Sequence, residues 1–402
     1  MPMVNSIPFQ FIKRIQKMKR MTRLMMKNYI FSTSLLLITC NIAGAFEFRD
    51  YEKKIKTNYN ITSAVDKLSR DNIEKNLRDF VSSGRPSRFV GSPGHKKAQI
   101  YLEEKLKSFK SKGANFIDQE FSPDIAKAGK FYADDFKNEV VAKISPTDPN
   151  YDHWKGFTLS MMKTLDSLKG LKGHNYIWEK KGITKPDEII VLGANYDTLL
   201  NDPKTMIVNS KGVMPGADNN GTGVAALLSM IEILDKLDLP KTVRIVFFDF
   251  EELGFMGSRA FVEKMGDQKI TGFINLVMLG HDSKREDKEK KLNNMKLYLR
   301  APSDKGSQDD LKLANLVADN GKRLYSTVEF KAEANGMNSS SHISFWEAGH
   351  PAICLTQNWE SDFNPRFHTP NDFVETLNMN TYTFAFRYIT GAVLAWNYDI
   401  VK

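Results

Sequence analysis

Cysteine is almost absent, with two in 402 residues, Cys40 and Cys354. Cys40 lies in an N-terminal leader, so the exported chain would keep Cys354 alone and form no internal disulfide. Core packing or a bound metal must then stabilise the fold. Acidic residues are missing from the first 45 positions, which carry seven basic ones: Lys13, Arg14, Lys17, Lys19, Arg20, Arg23 and Lys27. The formal charge of +9 is therefore mostly local, because the remainder sets 50 basic residues against 48 acidic ones. That balance argues against nucleic acid as a partner. The leader also lacks a run of spanning length: Tyr29 to Cys40 is about a dozen residues, short for a transmembrane helix. Ala43-Gly44-Ala45 follows as a small-residue cleavage pattern. The leader reads as a secretory signal peptide cut after Ala45, with Met25 or Met26 a more usual start than Met1 and an uncleaved anchor as the alternative. The expected location is periplasmic or extracellular, with no stable membrane span after cleavage. Internal repeats and low-complexity linkers are missing too.

What remains is an ordinary globular composition, 41% hydrophobic and 26% charged, sufficient for a large core in one domain with an insertion or in two domains. After a helical lead-in from Tyr51 to Ser83, the turn Gly91-Ser92-Pro93-Gly94 introduces an amphipathic helix from His95 to Lys112, with Ala98, Tyr101, Leu102, Leu106 and Phe109 on one face. Strands are expected at Glu139 to Ile144 and Asn175 to Glu179, separated by an insertion over about 145–173 that holds a helix near Thr158 to Leu171. From Glu188 the alternation is regular. Strands are expected at Glu188 to Ala194, Thr242 to Phe250, Thr271 to Leu279, Met295 to Arg300, Val328 to Lys331 and Pro351 to Leu355. Helices are expected at Thr222 to Leu237, Ser258 to Met265, Asp309 to Gly321 and Thr381 to Trp396. This order predicts an α/β fold, a mostly parallel twisted sheet with helices on both faces. The charged run from His281 to Lys291 reads as a solvated loop. The expected organisation is a leader over 1–45, a lead-in over 46–90 and one domain over 91–402.

Thr242 to Phe250 is too apolar to be exposed on either face, and Glu251-Glu252 follows it immediately. Two carboxylates at the carboxyl end of a buried strand sit where open α/β sheets place ligands. The same pair could instead favour the positive end of a following helix. Three further loops carry metal-binding residue types: Gly193-Ala194-Asn195-Tyr196-Asp197, Pro215-Gly216-Ala217-Asp218-Asn219-Asn220-Gly221-Thr222-Gly223 and Phe367-His368-Thr369-Pro370-Asn371-Asp372. Each has a structural alternative: Asp218 to Asn220 can cap a helix, Asp197 can bond its own backbone, and His368 can be a loop histidine.

Taken together and in order, these loops, with Phe345-Trp346-Glu347-Ala348-Gly349 and Pro351-Ala352-Ile353, resemble metallopeptidase family 28, the zinc aminopeptidase-like fold of di-zinc aminopeptidases and glutaminyl cyclases. The resemblance runs from about Gly91 to the C-terminus. It implies zinc and a peptide or protein substrate, with a general base at Glu251 and metal ligands at Glu252 and His368. It also implies three departures. The family's first His falls on Asn195, its bridging Asp on Asn219, and the Asp after the next strand on Val277; Ser341 stands where Asp is usual. Asp197 is expected as a supporting residue behind the ligands. Asn offers only a neutral oxygen and Val no ligand, while catalytic zinc needs three protein ligands. At most one zinc is expected and possible loss of both follows from the same count. Asp218 would be a replacement ligand if the loop were shifted by one residue. His281 is expected in the loop and outside the site. Without metal, one of the two Glu carboxyls should have a raised pKa or pair with a basic side chain, Arg366 being a candidate. Two functions are compatible with these residues: an impaired or single-metal exported exopeptidase, and a pseudopeptidase that binds a peptide or protein in the old cleft.

Overall fold

The computed structural model describes residues 69–283 except 203 and 269, 295–324 and 330–400, together with Ser63 and Val65. The leader, the first part of the lead-in, the charged run beyond residue 283 and Val328 lie outside the described residues.

Eight strands form one mixed sheet in the order β1-β2-β4-β3-β5-β8-β6-β7. They are β1 (Ala114–Phe121), β2 (Gly173–Lys180), β3 (Lys185–Asn195), β4 (Lys241–Phe248), β5 (Ile270–Leu276), β6 (Met295–Tyr298), β7 (Lys331–Glu333) and β8 (Ala352–Gln357). The centre, β4-β3-β5-β8, is parallel. Antiparallel pairings join β2 to β4, β1 to β2 and β6 to β8.

The central strands are apolar on both faces because both faces are covered. Ile190, Leu192 and Ala194 of β3, with Val243, Ile245 and Phe247 of β4, enter one core cluster, and the alternate residues Ile189, Val191, Val246 and Phe248 enter another. The first face is covered by helices α1 (Arg70–Ser83), α2 (Pro93–Lys107), α5 (Thr222–Leu234), α7 (Ser307–Leu324) and α9 (Met379–Asn397). The second is covered by α6 (Met256–Met265) and α8 (His342–Glu347). Helix α5 is apolar around nearly its whole circumference and is buried accordingly, between the sheet, α1 and α9. Local signals set several starts: Ser92 accepts from His95 N with Pro93 in the first turn of α2, and Asn378 accepts from Thr381 N at α9.

The segment between β1 and β2 departs from expectation. It contains α3 (Ile125–Asp135), a π-helical turn at Phe136–Val141 and α4 (Pro149–Ser167). The strand expected at Glu139 to Ile144 is not there. Val140 and Ile144 are buried while Val141 is 51% exposed, and Ile144 N donates to Val140 O. Burial repeating every four residues is helical, so the β-branched content of that segment misleads. Helix α4 begins well before Thr158, because Asp148 caps it and Pro149 fixes its first turn. β1 and α3 are additional to the elements expected from the sequence, and β1 is half-buried with little alternation.

Candidate functional site

The parallel strands deliver their following loops to one edge of the sheet. Asn195 ends β3, Val277 follows β5, and Asp249 to Glu252 follow β4. The Glu pair lies in a turn ahead of α6, which starts at Met256, so these carboxylates are not in the first turn of a helix. The turn is conformationally costly: Phe250 and Phe255 have φ of 52° and 59°, and Met278 and His368 nearby have 53° and 56°. Left-handed backbone at such residues costs roughly 1–2 kcal/mol each, and strain of this kind concentrates at functional sites. Gly216 (φ 61°) opens the Asp218-Asn219-Asn220 loop, and a Cβ there would lie 2.7 Å from Asn219 O.

Glu252 is the hub. Asn219 Nδ2 donates to Glu252 Oε1 over 2.7 Å, and His368 Nε2 lies 3.0 Å from Glu252 Oε2. Glu252 N donates to Asp197 Oδ2 over 3.1 Å, which gives Asp197 a supporting contact behind the carboxylate. Tyr132, on α3, donates through its hydroxyl to Glu252 O at 3.0 Å. Glu251 turns the other way and accepts from Ser340 Oγ at 2.6 Å. Burial, reinforced by Glu252 and Asp197, pushes the Glu251 carboxyl well above the usual carboxylate range. Asp197 is raised in the same way, first by burial and then by Glu252. Asn195 Oδ1 accepts from Asn220 Nδ2 at 2.8 Å, and Val277 lines the small cavity beside Glu251, Glu252 and Cys354.

Two expectations are corrected. Arg366 does not pair with the Glu residues: its backbone N–H donates to Asn364, and the partners of the pair are Asn219, His368 and Ser340. Asp218 does not join Glu252 and His368. Its carboxylate accepts from Gly280 N at 2.8 Å, Asn364 Nδ2 at 2.7 Å and the Thr222 hydroxyl at 3.3 Å, so it is neither a ligand beside them nor a cap on the N–H groups of α5. The loop is held from below, where Asp218 N and Asn219 N both donate to Asp372. Burial and the neighbouring Asp218 raise Asp372 to about 7. His281 lies beyond β5 with its Nε2 3.2 Å from Asp362 Oδ1, away from the Glu pair.

Sequence reasoning gave no role to Ser340, Tyr132 or Arg88. Arg88 is fully buried and donates to Tyr196 O, Pro215 O and Gly216 O, tying the first two motif loops together. Its signal was an arginine next to Phe89-Val90 just ahead of the first matched turn.

A model of Peptidase family M28 matches residues 175–393, more than half of the chain. This chain belongs to peptidase family M28. Aminopeptidase YwaD of Bacillus subtilis is 25% identical over 248 residues, 60% of this chain and 46% of its own length. Leucine aminopeptidase 1 of Emericella nidulans is 22% identical over 353 residues, 84% of this chain and 73% of that protein. The M28 chain spans about half the length of the first curated relatives it matches. Among solved structures, a zinc aminopeptidase from Bacillus subtilis aligns with a TM-score of 0.57 at 17% identity, over 81% of this chain and 94% of that one. Glutaminyl cyclase of Porphyromonas gingivalis aligns at 0.56 and 19% identity, over 81% and 97%. These likenesses establish the zinc aminopeptidase-like α/β fold.

Zinc is the metal to expect of this family. The side chains here do not fit a zinc pair. Among the described residues no three His, Cys, Asp or Glu side chains are grouped so as to hold a metal ion. Asn219 and Val277 line the cavity beside the Glu pair, the Asn195 amide is bonded to Asn220, and the oxygens of Glu252 already face Asn219 and His368.

Proposed function

We propose that this exported M28 chain binds a peptide in its cleft and does not hydrolyse it. The observation that carries the reading is the contact from the Asn219 side-chain amide to Glu252. At the position where the resemblance implies a carboxylate shared by two cations, a neutral N–H donor satisfies the neighbouring carboxylate directly. The Glu252 carboxylate thereby has a hydrogen-bond partner in the protein itself. Glu251, held toward its protonated form by burial, is suited to hydrogen-bonding a ligand and poorly suited to removing a proton. Among the described residues no third zinc ligand stands beside Glu252 and His368, and water without a metal keeps its high pKa. Export rests on the basic, apolar and small-residue order of the leader. Among the described residues no helix is long and apolar enough to cross a membrane.

A second reading, a single-zinc hydrolase, draws on one observation. The 3.0 Å between Glu252 Oε2 and His368 Nε2 is a separation two ligands of one ion could adopt. Assay of hydrolysis of leucine p-nitroanilide and of a small peptide library, with and without added zinc, separates the two readings. Absence of turnover with retained peptide binding supports the first; zinc-dependent turnover supports the second and overturns the first.

A further inference from the structure

The cavity in front of the Glu pair has a volume of about 380 Å³. Its outer wall comes from the segment between β1 and β2: Phe131 and Tyr132 on α3, Trp154 and Phe157 on α4. Edge-to-face contacts fix these rings, Tyr132 to Phe157 at 6.0 Å and Trp154 to Phe157 at 6.1 Å between centroids. The hydroxyl of Tyr132 anchors the wall to Glu252 O.

The charge lining this cavity has one sign. Asp134, Asp135, Glu139 and Glu252 contribute carboxylates, and no Lys or Arg is among the lining residues. Lys130 offsets Asp134, Lys143 offsets Glu139, and Asn219 and His368 face the oxygens of Glu252, which leaves Asp135 facing the space. An independent feature asks for a donor: Asn201 lines the same cavity, is 6% exposed, and its Oδ1 accepts no hydrogen bond from the described residues. The rings of this wall already accept one cation, since the Arg259 guanidinium lies 5.7 Å from the centre of Phe131 and 5.9 Å from that of Phe255.

Aromatic faces, carboxylates and an unmet buried acceptor share one complement, a cationic N–H donor on an apolar stem. We propose that the cavity selects a peptide by a lysine or arginine side chain, whose stem lies along Tyr132, Trp154 and Phe157 and whose head reaches Asp135 and Asn201. The inference rests on the reading of the cleft as a peptide-binding site and adds the class of residue bound.

The test is calorimetric titration of the full chain with three pentapeptides that differ only at the central residue: lysine, norleucine and glutamate. Lysine should bind at least about tenfold more tightly than norleucine, roughly 1.4 kcal/mol, with glutamate weakest. Asp135→Asn should reduce lysine-peptide affinity and leave norleucine-peptide affinity unchanged. Norleucine binding as well as lysine overturns this inference and leaves the peptide-binding reading standing. Failure of all three peptides to bind overturns both. Cleavage of the lysine peptide, with the same preference, supports the inference and overturns only the non-hydrolytic reading.

Discussion

The side-chain amide of Asn219 donates to Glu252 over 2.7 Å while His368 approaches the other carboxylate oxygen at 3.0 Å. Two nitrogen atoms thus stand around one carboxylate where the resemblance implies cations. Asn219→Asp replaces the donor with a second acceptor and places like charges in contact. Loss of a charge-assisted hydrogen bond and the exposed repulsion should cost about 1–3 kcal/mol. Thermal melting should show a lower Tm for the variant, and added zinc should raise that Tm more than it raises the parent's. Equal melting with and without zinc would count against the contact.

If ligand loss alone separates this chain from a working peptidase, Asn195→His, Asn219→Asp and Val277→Asp together should create zinc binding and aminopeptidase turnover. The backbone around these positions keeps its strained turns, including Phe250 and His368 at positive φ, so a geometry for the restored ligands is already built. Stoichiometric zinc without turnover would mean that the cleft has changed as well.

Arg88 makes a separate, structural prediction. Its guanidinium is buried completely, lowered by burial to about 10 and therefore still charged at neutral pH. Arg88→Met leaves the carbonyls of Tyr196 and Pro215 without their donor, while Gly216 O keeps the Gly221 N–H. At about 1–3 kcal/mol for each unsatisfied buried group, urea unfolding should show a loss of at least about 2 kcal/mol. A loss under about 1 kcal/mol would show that the loops find other donors.

His342 predicts an acid-sensitive window. Burial holds its imidazole down to about 4, with Nε2 2.7 Å from Met337 O. In the unfolded chain it titrates near 6.5, as a free histidine does. As pH falls below about 6.5 the unfolded state takes up the proton first, so stability drops until about pH 4, by on the order of 3 kcal/mol. The slope of Tm against pH across that interval should lessen in His342→Gln. An unchanged slope would assign the acid loss to other groups.

How legible this was in the sequence depended on the range over which each feature is determined. The strand ending at Phe248 announced itself by continuous apolar residues, because both its faces are buried. The motif loops were found by order, and the structure brings Asn219, Glu252 and His368 together as their placement implied. Asp218 was misplaced, since its partners Gly280 and Asn364 lie 62 and 146 residues away and no local pattern records them. The insertion was the least readable stretch. Its apolar residues serve a small separate cluster and the cavity wall, so they follow neither a sheet's alternation nor a full amphipathic stripe.

In the proposed reading the donors left at Glu252 and His368 are too few to retain zinc. It is tested most directly by metal analysis of the full chain purified without chelator and dialysed against metal-free buffer. Less than roughly a tenth of an equivalent of zinc is expected, given how tightly working sites hold the ion. One equivalent or more, lost in Glu252→Ala, would contradict it.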